Sequence, residues 1–370
     1  MPKTMPKHIV IDARNRRSST GRYTDRLINN LQNIDKENKY TILVEAGDIW
    51  KPRNQNFRTR TANFQQFSFN PVDQVAFAHL LYSLKPDVVH FTMTQQPVFY
   101  FGNIITTTHD LTMFKYTRPS RFPKWVHALG MVFYRFLFWW GHKKSKKIIV
   151  PSKYVAKELA KYQPFTKDKL AVTYEASDPP IKAKPMAVKG VMKPFILHVG
   201  APFPHKNLDR LISAFDEVKK TQPKLQLVLP GKMKNQFKKD MVRWIDQSPN
   251  EADIITPGYM NDAELKWLYT NAELYVLPSL SEGFGLPGLE AMAHGCPVIA
   301  SDNTCLPEVY GQGALYFNPL ETQEIATNIE KVLISKKVKK KLIIAGQAQL
   351  KKYSWDKLAR ETLAIYSSAD

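Results

Sequence analysis

The residues best suited to chemistry lie in one glycine-rich stretch, Ser281-Glu-Gly-Phe-Gly-Leu-Pro-Gly-Leu-Glu-Ala-Met-Ala-His-Gly-Cys-Pro-Val-Ile-Ala300. An apolar run ends at Leu277, a turn follows, and a helix opens near Leu286. Pro287 falls in its first turn, where a missing N–H costs nothing. The backbone N–H groups of Gly283, Phe284, Gly285 and Leu286 then form a helix N-terminus that suits an anion such as a phosphate. Glu282 stands before the turn and Glu290 one turn into the helix, both within reach of a ligand docked there. An ordinary glycine turn with solvated glutamates has the same local wording. A second polar pair, His109-Asp110, follows the apolar run Asn103–Thr108. Parallel sheets bind ligands at the carboxyl ends of their strands.

The elements that must position these groups alternate along the chain. His8–Asp12, Tyr40–Val44, Asp87–Phe91, Asn103–Thr108, Lys147–Val150 and Leu170–Tyr174 read as strands. Arg22 to Ile34 places Tyr23, Leu27, Leu31 and Ile34 on one helical face, and Ser152 suits an N-cap. Residues 179–194 carry four prolines and no period, which reads as a linker. Strands resume at Phe195–Val199, Leu225–Leu229, Ile254–Thr256, Leu274–Leu277 and Pro297–Ala300. Helices fill the gaps, and the chain reads as wholly helical from Glu321 onward. The alternation predicts an α/β fold with parallel sheets covered on both faces. Two doubly wound, Rossmann-like domains, 1–178 and 195–353, would hold a ligand cleft between their sheets' carboxyl ends. A last helix occupies 354–370.

Composition narrows the partners. The 370 residues include 53 Lys or Arg against 33 Asp or Glu, a formal charge of +20 that favours anionic ligands. The two cysteines, Cys296 and Cys305, exclude a disulfide framework or a four-cysteine zinc site and fit a reducing cytosol. No apolar stretch follows the N-terminal lysines, so no signal peptide is expected. The basic residues are spread out and concentrate late, as at Lys336 to Lys341, without a nucleic-acid-binding motif. A basic nucleic-acid-binding protein is therefore the competing reading, and no nucleic acid partner is expected.

The pair Glu282 and Glu290, with seven residues between, resembles the Glu-x(7)-Glu signature of retaining GT-B glycosyltransferases, and its surroundings resemble glycosyltransferase family 4. Phe195-Ile-Leu-His-Val-Gly-Ala-Pro-Phe-Pro-His-Lys-Asn-Leu208 looks like the family's opening strand of the second domain, ending in its phosphate-contacting Lys. Thr304 to Pro319, Thr108-His-Asp-Leu111, Val150-Pro-Ser-Lys-Tyr154 and Ser354-Trp-Asp-Lys-Leu-Ala359 match other family segments in the family's order. The resemblance implies a GT-B fold and a hexosyltransferase acting on a nucleoside-diphosphate sugar, with GDP-mannose favoured and UDP-glucose the alternative. It implies Lys206 on the donor phosphates, His109 and Asp110 at the donor sugar, Glu282 on the sugar hydroxyls and Glu290 on the ribose. Gly21 would let backbone approach a phosphate or the acceptor. His205 and the N–H groups of Gly283 to Leu286 complete the donor site. Met260, in Gly258-Tyr-Met-Asn-Asp262, and the Gly231-Lys-Met loop are the candidate walls for the base. The last helix would cross back to the first domain.

The family's usual second cation is absent, since Ala201 stands where an Arg is common. His205, Arg16 and Arg22 are the candidates to replace it. No cofactor and no metal are expected, because no Asp-x-Asp motif lies in a fitting place. Two-carboxylate glycoside hydrolysis is excluded because ribose and sugar roles put both glutamates on one side of the ligand. A sugar-nucleotide epimerase on the same fold is a further alternative.

Trp125 to Gly141 is the most apolar window, broken by His127 and Arg135 and followed by Lys143, Lys144, Lys146 and Lys147. It falls short of the ~20 apolar residues of a spanning helix. It reads either as a helix packed on the first sheet or as an interfacial helix drawn to anionic lipid. The second reading implies a cytoplasmic enzyme, peripheral on the inner face of the plasma membrane, with a lipid-linked or oligosaccharide acceptor as in polysaccharide biosynthesis.

Overall fold

The computed structural model describes residues 5–16, 21–64, 70–116, 123–233 and 235–369. The β-branched runs form strands because both of their faces are covered. Ile9, Val10 and Ile11, like Ile148, Ile149 and Val150, are fully buried, as expected of parallel strands between helical layers.

Among the described residues, thirteen strands form two all-parallel sheets. The first contains β1 (His8–Asp12), β2 (Lys39–Val44), β3 (Phe57–Thr61), β4 (Val88–Phe91), β5 (Ile104–Thr107), β6 (Lys147–Val150) and β7 (Leu170–Val172). Its order is β3-β2-β1-β4-β5-β6-β7, with Val10 opposite Thr41 on one side and Val89 on the other. The second contains β8 (Phe195–Leu197), β9 (Gln226–Val228), β10 (Ile254–Ile255), β11 (Leu274–Leu277), β12 (Val298–Ser301) and β13 (Ala314–Phe317), in the order β10-β9-β8-β11-β12-β13. Each order reverses beside the sheet's first strand, between β1 and β4 and between β8 and β11. Such a switch opens a crevice at the carboxyl ends of the two strands.

The described residues fall into two units. The first holds 5–111, 123–175 and 354–369, and the second holds 112–116 and 176–353. The first unit's main stretch thus ends at Glu175 rather than 178, and a short piece after Leu111 groups with the second. The Trp355–Ser368 helix packs on the Gly21–Ile34 helix of the first unit. Its buried Tyr366 hydroxyl lies 2.6 Å from Nδ1 of His90, whose Nε2 lies 2.8 Å from Thr107 Oγ1. Burial pulls the His90 pKa down to about 3, so this link is a neutral imidazole.

Some elements carry little signal of their own in the sequence. β3 reads Phe-Arg-Thr-Arg-Thr and exposes all but its phenylalanine, so an edge strand shows no apolar run there. β13 interleaves buried and half-buried residues after a glycine turn. The Pro71–Leu84 helix leaves Val72, Val75 and Tyr82 exposed and so lacks a clean amphipathic stripe.

The aromatic window forms a helix, Lys124–Lys144, that divides its faces. Leu137, Phe138, Gly141 and His142 are buried, whereas Trp125, Leu129, Val132, Phe136 and Trp139 are exposed. The adjacent tryptophans have different roles. Trp140 is half-buried and donates Nε1–H to Val98 O at 3.0 Å, while Trp139 faces outward. No helix among the described residues is long and apolar enough to cross a membrane.

Candidate active site

In the second unit, the loops after β8 and β11 meet. Pro204–Lys206 forms a single tight turn closed by Asn207, whose left-handed backbone (φ 57°) is tolerated by asparagine. The Asn207 side chain donates to Pro278 O at 3.1 Å and Pro319 O at 2.7 Å, and Leu280 N donates to His205 O at 2.7 Å. These bonds fix Lys206 against the other loop, and Lys206 Nζ lies 2.7 Å from Glu282 Oε1. Both side chains are largely buried. Burial alone would raise the Glu282 pKa, but the charges of Lys206 and His205 outweigh it and hold the carboxyl below its ordinary value.

His198, on the way out of β8, is fully buried and donates Nδ1–H to Val276 O at 2.9 Å. Burial, with the Lys206 charge, lowers its pKa to about 4. It backs the pair as a neutral ring. Asn207 and His198 both lie in the strand-turn motif, yet their positioning parts depend on contacts with residues some seventy positions away.

The glycine turn has a packing reason as well as a chemical one. Gly285 has φ +85°, and its carbonyl accepts from the buried Tyr310 hydroxyl. A Cβ at Gly285 or Gly288 would fall 2.5 or 2.3 Å from that oxygen. The Leu286–Ala293 helix that follows has no side-chain cap. Phe284 is buried edge-on against Tyr353, so only its backbone is available to a ligand. Gly283 and Leu286 are half-buried. Glu290 Oε2 accepts from Tyr269 Oη at 2.9 Å.

The two loops expected near the base are joined. Gly231 N donates to Gly258 O at 2.8 Å, and Lys232 Nζ sits 5.1 Å from the Tyr259 ring centroid. A Cβ on Gly231 would lie 2.1 Å from Gly200 O, so the loops after β8, β9 and β10 pack backbone to backbone. Met260 is half-buried beside them.

In the first unit, His109 lies between two acceptors. Its Nδ1 is 3.1 Å from Glu175 Oε1 and its Nε2 is 3.1 Å from Thr92 O, with Tyr23 packed edge-on at 4.9 Å. A carboxylate and a carbonyl can both be satisfied only by an imidazolium. Burial opposes that charge, but Glu175 prevails and the His109 pKa is raised. Asp110 is exposed. Glu175 was not among the residues expected at the site. Replacing it with Gln should lower the His109 pKa, read by NMR titration of the imidazole. The pair's contribution to stability is complete below the ordinary histidine pKa of ~6.5 and fades as pH rises through the raised native value. An unchanged titration would show that Glu175 does not hold the charge.

Gly21 opens its helix, and a Cβ there would lie 2.0 Å from Arg16 O, so packing alone accounts for the glycine. The preceding residues 17–20 of that motif lie outside the described residues. Arg16 pairs with Asp25 at 2.7 Å and Asp48 at 2.8 Å. Both of these pairs lie within the first unit.

Family profiles match this chain in sequence. The profile described as Glycosyltransferase Family 4 covers residues 20–179, and that described as Glycosyl transferases group 1 covers 182–349. The chain belongs to this glycosyltransferase family. The enzyme is 29% identical over 274 residues to O-antigen chain mannosyltransferase B of Escherichia coli, covering 71% of this chain and 69% of that one. It is 35% identical over 163 residues to the serotype-specific mannosyltransferase WbdA of Escherichia coli, covering 44% of this chain but only 20% of that longer protein. Among solved structures, the sucrose-phosphate synthase of Thermosynechococcus elongatus superposes with a TM-score of 0.77 at 17% identity, covering 98% of each chain. The fold of this glycosyltransferase is therefore GT-B.

Proposed function

We propose that this glycosyltransferase moves a mannosyl group from GDP-mannose to a lipid-linked or oligosaccharide acceptor, retaining the anomeric configuration and using no metal ion. The observation that carries this reading is the Lys206–Glu282 pair, 2.7 Å apart at the carboxyl ends of adjacent strands β8 and β11. A largely buried ammonium near a helix N-terminus suits a diphosphate leaving group. Negative charge grows on the β-phosphate as the bond from the anomeric carbon to the phosphate oxygen breaks, and preorganised charge is most effective there. The acceptor oxygen bonds to that carbon from the same face, and its proton passes to the departing phosphate oxygen. No protein nucleophile is required.

In this scheme Glu282 holds sugar hydroxyls, Glu290 the ribose, and the joined 231–233 and 258–262 loops the base. Within the first unit, the His109 imidazolium is a further positive charge. A polar pocket there, lined by Asp12, Arg14, Asn15, Thr92, Met93 and Gln95, suits the hydroxyls of an acceptor sugar. Mannose is favoured because the two relatives above carry that activity in their names.

A thermal-shift screen of donors tests the reading. A ligand at 100 times its dissociation constant adds ~2.7 kcal/mol of apparent stability. GDP and GDP-mannose should raise the melting temperature more than UDP and UDP-glucose. Stabilisation by the uridine pair alone would overturn the donor assignment. No response to any nucleotide would overturn the use of a nucleotide sugar.

A further inference from the structure

We propose that the open face of the Lys124–Lys144 helix and the adjoining 97–101 loop form one docking surface for an anionic lipid bilayer. Trp125, Leu129, Val132, Phe136 and Trp139 are all exposed, Trp125 by 72%. Their spacing of four and three residues aligns them in a single stripe. Lys143 continues that stripe at its end, and the 21-residue helix contains no Asp or Glu. Phe99 and Phe101 in the neighbouring loop are exposed as well.

The polar groups around this patch are spent on holding it in shape. Lys144 Nζ donates to Pro97 O at 2.6 Å, Tyr100 O at 2.9 Å and Val98 O at 3.2 Å. Trp140 bonds the same loop, and the Phe101 ring stands edge-on to it at 6.3 Å. From the Pro71–Leu84 helix, Tyr82 Oη donates to Phe99 O at 3.3 Å and accepts from Phe101 N at 3.0 Å. The loop is therefore pinned from two helices while its phenylalanines face outward. An exposed apolar patch of this extent marks a binding surface.

Charge selects the occupant. Exposed Lys143 and Lys146 lie at one end of the stripe, with half-buried Lys147 beside them. Lys169 joins them by donating to His142 O at 3.3 Å and Lys143 O at 2.9 Å. Aromatic rings beside clustered lysines suit a helix lying in an anionic interface. A second copy packed on the stripe would offer these lysines no acidic partner, since the helix carries no Asp or Glu. The surface stands on these contacts alone, whichever sugar the enzyme transfers.

The test is co-sedimentation of the full chain with vesicles of phosphatidylcholine plus phosphatidylglycerol, against phosphatidylcholine alone. Binding to the anionic vesicles is expected, weakening as salt screens the lysines. The triple variant Trp125→Ser/Leu129→Ser/Phe136→Ser should lose at least roughly tenfold in affinity. Its melting temperature should hold, because exposed side chains contribute little to folding. Lys143→Glu/Lys146→Glu, which leaves the apolar stripe intact, should lose roughly fivefold or more per lysine. Wild-type protein that stays in the supernatant would overturn the proposal. So would variants that bind like wild type, or a dimer of the wild-type chain that the triple variant dissociates without any vesicle binding.

Discussion

Lys206→Ala is expected to slow sugar transfer by roughly two to three orders of magnitude, the scale of removing one preorganised charge from a developing anion. The loss should fall at the upper end, because Ala201 supplies no second cation. A second effect accompanies it. Glu282 would be left largely buried without its partner, at a cost of about 3 kcal/mol in stability. In the wild type, Lys206 keeps the Glu282 pKa low, so the pair's contribution is present above the ordinary carboxylate pKa of ~4.3. It is lost as pH falls through the lowered native value. The double variant Lys206→Ala/Glu282→Gln should regain most of the stability and none of the rate. A loss of rate below tenfold would show that another group bears the phosphate charge.

Glu282→Gln is expected to abolish most transfer while nucleoside-diphosphate binding is kept or tightened. The carboxylate's proposed ligand is the sugar, so a nucleotide lacking sugar does not need it. Removing the anion also releases the Lys206 ammonium, now 2.7 Å from Glu282, to the phosphates. Glu290→Ala should do the reverse and weaken nucleotide binding itself. Calorimetric titration with GDP, alongside a transfer assay, separates the two carboxylates. Equal loss of GDP affinity in both variants would remove the division of labour between them.

Much of the frame was legible because buried parallel strands announce themselves as β-branched runs, as at His8–Asp12 and Lys147–Val150. The loop chemistry was legible where it is local. Lys206 closes a short turn after β8, and Glu282 precedes a proline-started helix after β11. What escaped depends on topology. Glu175 meets His109 across 66 positions, and nothing around Thr173-Tyr-Glu175 signals a partner until the strand order brings the two segments together. Asn207 shows the same limit, since its bonds reach carbonyls after β11 and β13. The aromatic helix could not be assigned to core or surface because its rings point to several faces. Folded, it packs Phe138 and His142 inward and leaves Trp125 and Trp139 outward. Substituting Trp139 and Trp140 together would therefore mix a surface effect with the loss of the Trp140–Val98 bond, and they are better changed separately.

The measurement that bears most directly on transfer at the Lys206–Glu282 site is proton NMR of GDP-mannose incubated with the enzyme and no acceptor other than water. Slow hydrolysis should release mannose first as the α anomer, the configuration of the donor, before it mutarotates. Lys206→Ala should slow that release by the same factor as transfer. Mannose appearing first as the β anomer would contradict retention, and release unaffected by Lys206→Ala would contradict the site.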